Sequence, residues 1–191
     1  MSIESLAAEI SFALGDDAAK SRVAYAALND FVRSLHEVFT KSKRDQVNLL
    51  SQVQTTLGST SAHHLGRVIC ADNVKFGSYP ASSNCPLFDS VTKVCSERGM
   101  ALDDGMALFS HFLKALDEER FDAEGNCESP MFITYWTVGH EAAYHLGGLF
   151  VGDDGDLVST EMQYLDYRLK RFRTMVERWE MERAWDKEDR E

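Results

Sequence analysis

Residues 20–39 read KSRVAYAALNDFVRSLHEVF, and this stretch decides the fold class. Val23, Ala27, Leu28, Phe31, Leu35, Val38 and Phe39 recur at intervals of three and four, so on a helix they make one broad apolar stripe. Lys20, Arg22, Asp30, Arg33 and Glu37 fall outside it. A helix with such a stripe must cover it with other elements, and the sequence on both sides repeats the helical pattern.

Upstream, Ser2 can cap a helix carrying Ile3, Leu6, Ala7, Ile10 and Leu14 that stops near Gly15, after which Asp16 or Asp17 can cap the next. Downstream of the basic turn Lys41-Ser42-Lys43-Arg44, the spacing of Val47, Leu50, Val53 and Leu57 predicts a helix ending at Gly58. Ser59, Thr60 or Ser61 opens a shorter one, with Leu65, Val68 and Ile69 on its buried side, that gives out around Asp72-Asn73. Residues 73–86 contain Gly77, Pro80, three serines, Asn84 and Pro86, the composition of a connecting loop.

Leu87, Phe88, Val91, Val94 and Cys95 predict a helix ending at Gly99, and Met106, Leu108, Phe109, Phe112, Leu113 and Leu116 another, opened by Asp103 or Asp104. The polar run from Phe121 to Glu128, with Gly125, predicts a turn. Ser129-Pro130 is a helix start, and the following sequence predicts one helix running to Gly147-Gly148. Residues 149–158 suit a short hairpin or a loop. Thr160 and Gln163 form a capping box before Met162, Leu165, Leu169, Phe172, Val176 and Trp179, a coiled-coil-like seam suited to the core of one subunit or to a homodimer.

The architecture expected is therefore all-α: a single-domain bundle of about seven or eight helices over 1–185, with an irregular loop at 73–86, room for one β-hairpin near 149–158, and a charged tail at 186–191. A chain of 191 residues buries about 70% of its unfolded surface, and eleven Phe, six Tyr and three Trp are available to fill a core. Acids stand in the N-terminal segment where a signal peptide needs bases, and no apolar run approaches the ~18–20 residues that span a bilayer; the expected compartment is the cytosol. Cys70, Cys85, Cys95 and Cys127 match neither a paired zinc pattern nor a dense disulfide framework and are expected to be reduced thiols.

Charge is the strongest functional signal. Residues 101–160 hold twelve Asp/Glu against two Lys/Arg, so nearly all of the net −11 resides there. Charge confined to one segment makes a local field that attracts cations or a basic partner. Acids at helix starts and in loops are ordinary capping and solvation, but Asp117-Glu118-Glu119 ends a helix, where the dipole disfavours anions. The expectation is a non-catalytic acidic regulator or inhibitor without a cofactor. It would dock on a basic protein through Asp117, Glu118, Glu119, Asp122, Glu124, Asp153, Asp154 and Asp156, with mimicry of nucleic-acid phosphates as its sharpest form. The basic cluster Arg168, Lys170, Arg171 and Arg173 suits an internal or dimer contact better than nucleic acid, which the whole molecule repels.

The alternative is a metal-dependent hydrolase or oxidoreductase. His140 and His145 are five apart and diverge on a helix, so they do not make a zincin pair, but Glu141 and His145 share a face and could be two ligands, with His111 or Asp117 as others. The structural use of these residues is a surface hydrogen bond between Glu141 and His145, with His140 packed beside Trp136 and Tyr144. His36, His63 and His64 are expected at helix boundaries or on the surface. Asp153-Asp154-Gly155-Asp156 is too compressed for an EF-hand, and neither a nucleophile elbow nor a glycine-rich phosphate loop is present in the sequence.

Overall fold

The stripe of residues 23–39 lies on α1 (Ala18–Lys41) of the computed structural model, the longest helix among the described residues, and it is covered from several sides. The structure describes residues 18–70, 79, 84–119 and 130–150, without the side chains of 18–21, 70, 119, 132 and 136. They form six further helices: α2 (Gln46–Leu57), α3 (Ser59–Cys70), α4 (Pro86–Arg98), α5 (Leu102–Glu119), α6 (Pro130–Thr137) and α7 (His140–Gly147), followed by a 3-10 turn at Gly148–Phe150. Seven helices and no strand among the described residues make the all-α bundle expected from the sequence. None of these helices is long and apolar enough to cross a membrane. The expected helix at 3–14, most of the loop at 73–86, the seam from Met162 to Trp179 and the limits of the 1–185 domain lie outside the described residues.

α1 packs against α2, α4, α5, α7 and the 3-10 turn. Ala24, Ala27, Leu28, Phe31, Val32, Leu35, Val38 and Phe39 are buried on it. Each fully buried Leu or Phe stabilises the fold by about 1.5–3 kcal/mol relative to exposure, so this helix anchors the core. Phe31 stacks on Phe109 of α5 with ring centroids 5.0 Å apart and planes inclined at 21°. α4 and α5 approach closely beside that pair: a Cβ built on Gly105 would stand 2.2 Å from Cys95 Sγ and 3.4 Å from Phe31 Cζ. Gly105→Ala is therefore expected to cost about 1–3 kcal/mol of overpacking. Urea unfolding should show the loss, and most of it should return in the Gly105→Ala/Cys95→Ala double variant.

α2 ends at Gly58, α4 at Gly99 and α6 opens on Pro130, as the sequence predicts. Gly99 takes the left-handed conformation (φ 64°), and its N–H and that of Met100 close on carbonyls of the last turn of α4. Four expectations are corrected. The span from Pro130 to Gly147 is two helices, because Gly139 (φ 131°) breaks it. The N–H groups of Val138 and Gly139 both close on Thr134 O, and the hydroxyls of Thr134 and Thr137 bond back to the carbonyls of Pro130 and Ile133, a pattern that bends and ends helices. Val47 is 57% exposed and Phe88 38%, so neither lies on its helix's buried face. Asp103 and Asp104 stand in the first turn of α5, which begins at Leu102, rather than at its cap. Leu149 and Phe150, expected at the start of a hairpin or loop, lie in the 3-10 turn; the rest of that span is outside the described residues.

α2 carries polar side chains into the interior because helices cover it on several sides, α1, α3, α4 and α5 all touching it. Buried Gln52 donates to Asn48 Oδ1 at 2.7 Å and accepts the Leu87 N–H at 3.2 Å. It thereby satisfies an orphan donor in the first turn of α4, whose own cap residue, Cys85, makes no side-chain bond to the helix it opens. Gln54 pairs with both backbone groups of Tyr79, at 2.8 and 3.0 Å. Cys85 and Cys95 are free thiols, and burial, reinforced by Asp104, pushes the Cys95 thiol above its ordinary range.

Candidate functional site

The ionisable side chains that could carry chemistry meet at junctions between helices. At the first, Asp30 of α1 is buried, although its position in the stripe pattern predicts exposure. Arg98 at the end of α4 donates to Asp30 Oδ2 through Nε (3.0 Å) and Nη2 (2.6 Å), and Arg33 donates to Oδ1 at 2.6 Å. Two guanidiniums thus compensate one desolvated carboxylate.

At the second junction Asp117 of α5 is buried, its side chain only 2% exposed. Its Oδ2 lies 2.8 Å from Nδ1 of His64 on α3. Arg67 Nε stands 3.3 Å from Oδ1, near enough for charge attraction though not aligned as a hydrogen bond. A carboxylate on Nδ1 orients an imidazole and leaves Nε2 as its other polar atom, an arrangement that can position a base but here also joins α3 to α5. Neighbouring His63 is held below the ordinary histidine range by burial, against the pull of Asp117 and with the help of His64 and Arg67.

The third junction joins α1 to α7. Asn29 donates to Glu141 Oε2 at 3.1 Å, and His36 Nδ1 meets His145 Nδ1 at 3.1 Å. The surface bond between Glu141 and His145 is thus replaced by one partner each on α1. His140 is exposed, its ring nearly perpendicular to that of Tyr135 with centroids 6.1 Å apart, and Tyr144 is exposed. Neither His36 nor His64 is the isolated boundary histidine expected of it. Asn29, Arg33 and His36 stand at i, i+4 and i+7, a polar line beside the apolar stripe, and that line is the signal that marks a second contact face on α1.

The residues weighed as metal ligands do not converge on one point among the described residues. Glu141 and His145 face α1, Asp117 is enclosed between α3 and α5, and His111 is exposed on α5. Among the described residues no group of three or more His, Cys, Asp or Glu side chains could hold a metal ion.

The residues expected to form the docking surface divide. Asp117 points inward and its charge is compensated, so it leaves that surface. Glu118 is exposed and paired with Lys114 at 3.7 Å. Glu119 closes α5. Asp122, Glu124, Asp153, Asp154 and Asp156 lie outside the described residues. No family model, curated protein or solved structure matches the chain.

Proposed function

We propose that this chain is a non-catalytic cytosolic regulator or inhibitor that binds a basic protein through its acidic segment, standing in for nucleic-acid phosphates. The observation that carries this reading is the confinement of twelve Asp/Glu and only two Lys/Arg to residues 101–160. Because Arg67 and His64 compensate Asp117, the docking charge is assigned to Glu118, Glu119, Asp122, Glu124, Asp153, Asp154 and Asp156. Further support comes from α5, which buries one face but exposes Asp103 and Asp104 in its first turn and Glu118 in its last. Eighteen residues of helix span roughly 27 Å, so these acids are held apart on a rigid rod, as charges along a polyanion are.

The test is a pull-down from lysate of the source cell at low and high salt, followed by titration of the protein recovered. A basic partner released by salt is expected, and charge reversal by Glu118→Lys, Asp122→Lys and Glu124→Lys together should weaken its binding by at least about tenfold. Binding that survives both high salt and reversal would remove the acidic segment as the docking element.

A further inference from the structure

The docking surface makes no use of the histidine pair between α1 and α7. His36 and His145 meet Nδ1 to Nδ1 at 3.1 Å, with ring centroids 5.4 Å apart. That separation is about the greatest such a contact allows for two five-membered rings, so the two nitrogens face each other along the line of centres. Two ligands converging on one metal ion would bend that line, whereas an N–H···N hydrogen bond keeps it straight. Of two facing nitrogens only one can carry a hydrogen: one ring donates Nδ1–H and the other accepts on a bare Nδ1. The His36 ring is also backed by the 3-10 turn. A Cβ built on Gly148 would come within 2.3 Å of His36 Nε2 and 2.7 Å of Cδ2, so the ring cannot move that way without displacing the turn.

We propose that His36 and His145 form a one-proton latch, holding α7 and the Gly148–Phe150 turn on α1 while a single Nδ1 hydrogen lies between them and releasing both when each ring has taken up its second proton, so that both Nδ1 atoms carry a hydrogen. With both rings charged, two N–H groups and two positive charges face each other across the contact, and hydrogen bonding turns to repulsion. Release loosens the packing of α7 and the turn on α1, the region in which Ala142, Ala143, Leu146 and Leu149 are buried in the closed form.

The charged groups around the pair do not cancel this effect. Burial is the main cause that holds His36 below the ordinary histidine range, His145 and Arg44 add to it, and Glu37 opposes. Burial likewise lowers His145, with Glu141 opposing, Arg33 reinforcing and Glu37 opposing. Both rings are thus harder to protonate in the fold than in the unfolded chain, where a histidine titrates near about pH 6.5. The contribution of the latch is complete above that value and is lost as the pH falls from it toward the lower folded midpoints, because the unfolded chain then binds more protons.

Hydrogen exchange of the full chain at about pH 7.5 and pH 5.5, corrected for intrinsic rates, tests the latch. Peptides covering 140–150 are expected to lose about tenfold or more of their protection at the lower pH while α4, which carries no histidine, keeps its own. His145→Gln, which can still hydrogen-bond but cannot titrate, should abolish that difference. Equal protection of α7 at both pH values, or an equal loss in His145→Gln, would overturn the proposal. The wild-type chain supplies a second readout that needs no variant: the ring protons of His36 and His145 should titrate below the ordinary range, and independent titration of both near about pH 6.5 would also overturn it.

Discussion

Phe31→Ala is expected to destabilise the fold by about 3–5 kcal/mol, the range for removing a large aromatic from a packed core. Phe31 is fully buried, stacks on Phe109 and borders the close approach of α4 to α5 at Gly105, so it touches the place where three helices meet. The cavity cannot collapse easily, since each helix that would move is held by a polar contact elsewhere: α1 by Asp30 and His36, α4 by Arg98 and the Leu87 N–H, α5 by Asp117. Domains of ordinary stability have about 5–15 kcal/mol in total, so this single truncation should leave a substantial unfolded fraction at moderate urea. Phe88→Ala, at an exposed site on α4, should cost less than about 1 kcal/mol and serves as the control. A loss at Phe31 no larger than at Phe88 would mean that α1 is not the centre of the core.

The second large effect is expected at Asp117. Removing one member of a buried charge pair costs about 3–5 kcal/mol when the partner stays buried. Here the groups left behind are only partly enclosed, His64 at 15% and Arg67 at 42% side-chain exposure, and they can turn toward water. Asp117→Ala should therefore cost about 2–3 kcal/mol, at or below the lower end of that range. Neighbouring Glu118→Ala should stay within about 0.5 kcal/mol, its ion pair with Lys114 being solvent-exposed. A cycle of Asp117→Ala with His64→Ala should give a coupling of about 0.5–3 kcal/mol. The opposite pattern, with Glu118 costly and Asp117 silent, would return Asp117 to the surface. The contrast matters for function because both residues belong to one acidic run in sequence, and only the exposed one is free to meet a partner.

How much of this was legible in the sequence depends on what each pattern encodes. Apolar spacing encodes a face, and so the helices containing Phe31, Val53, Leu65, Val91 and Phe112 could be read directly, with Gly58 and Gly99 marking the ends of two of them and Pro130 the start of another. Spacing does not encode how many neighbours a helix has. α2 is covered on several sides, which is why Gln52 is buried there and Val47, equally compatible with the period, is not. The break at Gly139 was hidden because helix-compatible residues lie on both sides of it, mostly apolar ones before it and His140-Glu141-Ala142-Ala143 after, and a lone glycine in such a run is usually tolerated. The polar junctions were the least legible: Asp30 and Arg98 are 68 residues apart, Asp117 and His64 53, and His36 and His145 109. Nothing local links such partners. What the sequence did offer was the i, i+3 relation of Asp30 to Arg33 and the polar line of Asn29, Arg33 and His36, both of which mark a face that meets something other than water.

Those junctions also choose among the ways in which helices of this length can stack. An apolar stripe is nearly self-similar under a slide of one turn, since leucine replaces leucine and little burial is lost. A carboxylate that must reach a guanidinium has no such symmetry. Sliding α1 by one turn, about 5.4 Å, would carry Asp30 out of reach of Arg98 and His36 past His145 in the same movement, leaving a buried carboxylate with only Arg33, which moves with it, to offset its charge. The pairs at 30–98, 36–145 and 64–117 therefore act as a key for the bundle. They add modest stability to the correct arrangement and heavily penalise misregistered ones that the hydrophobic pattern alone would accept.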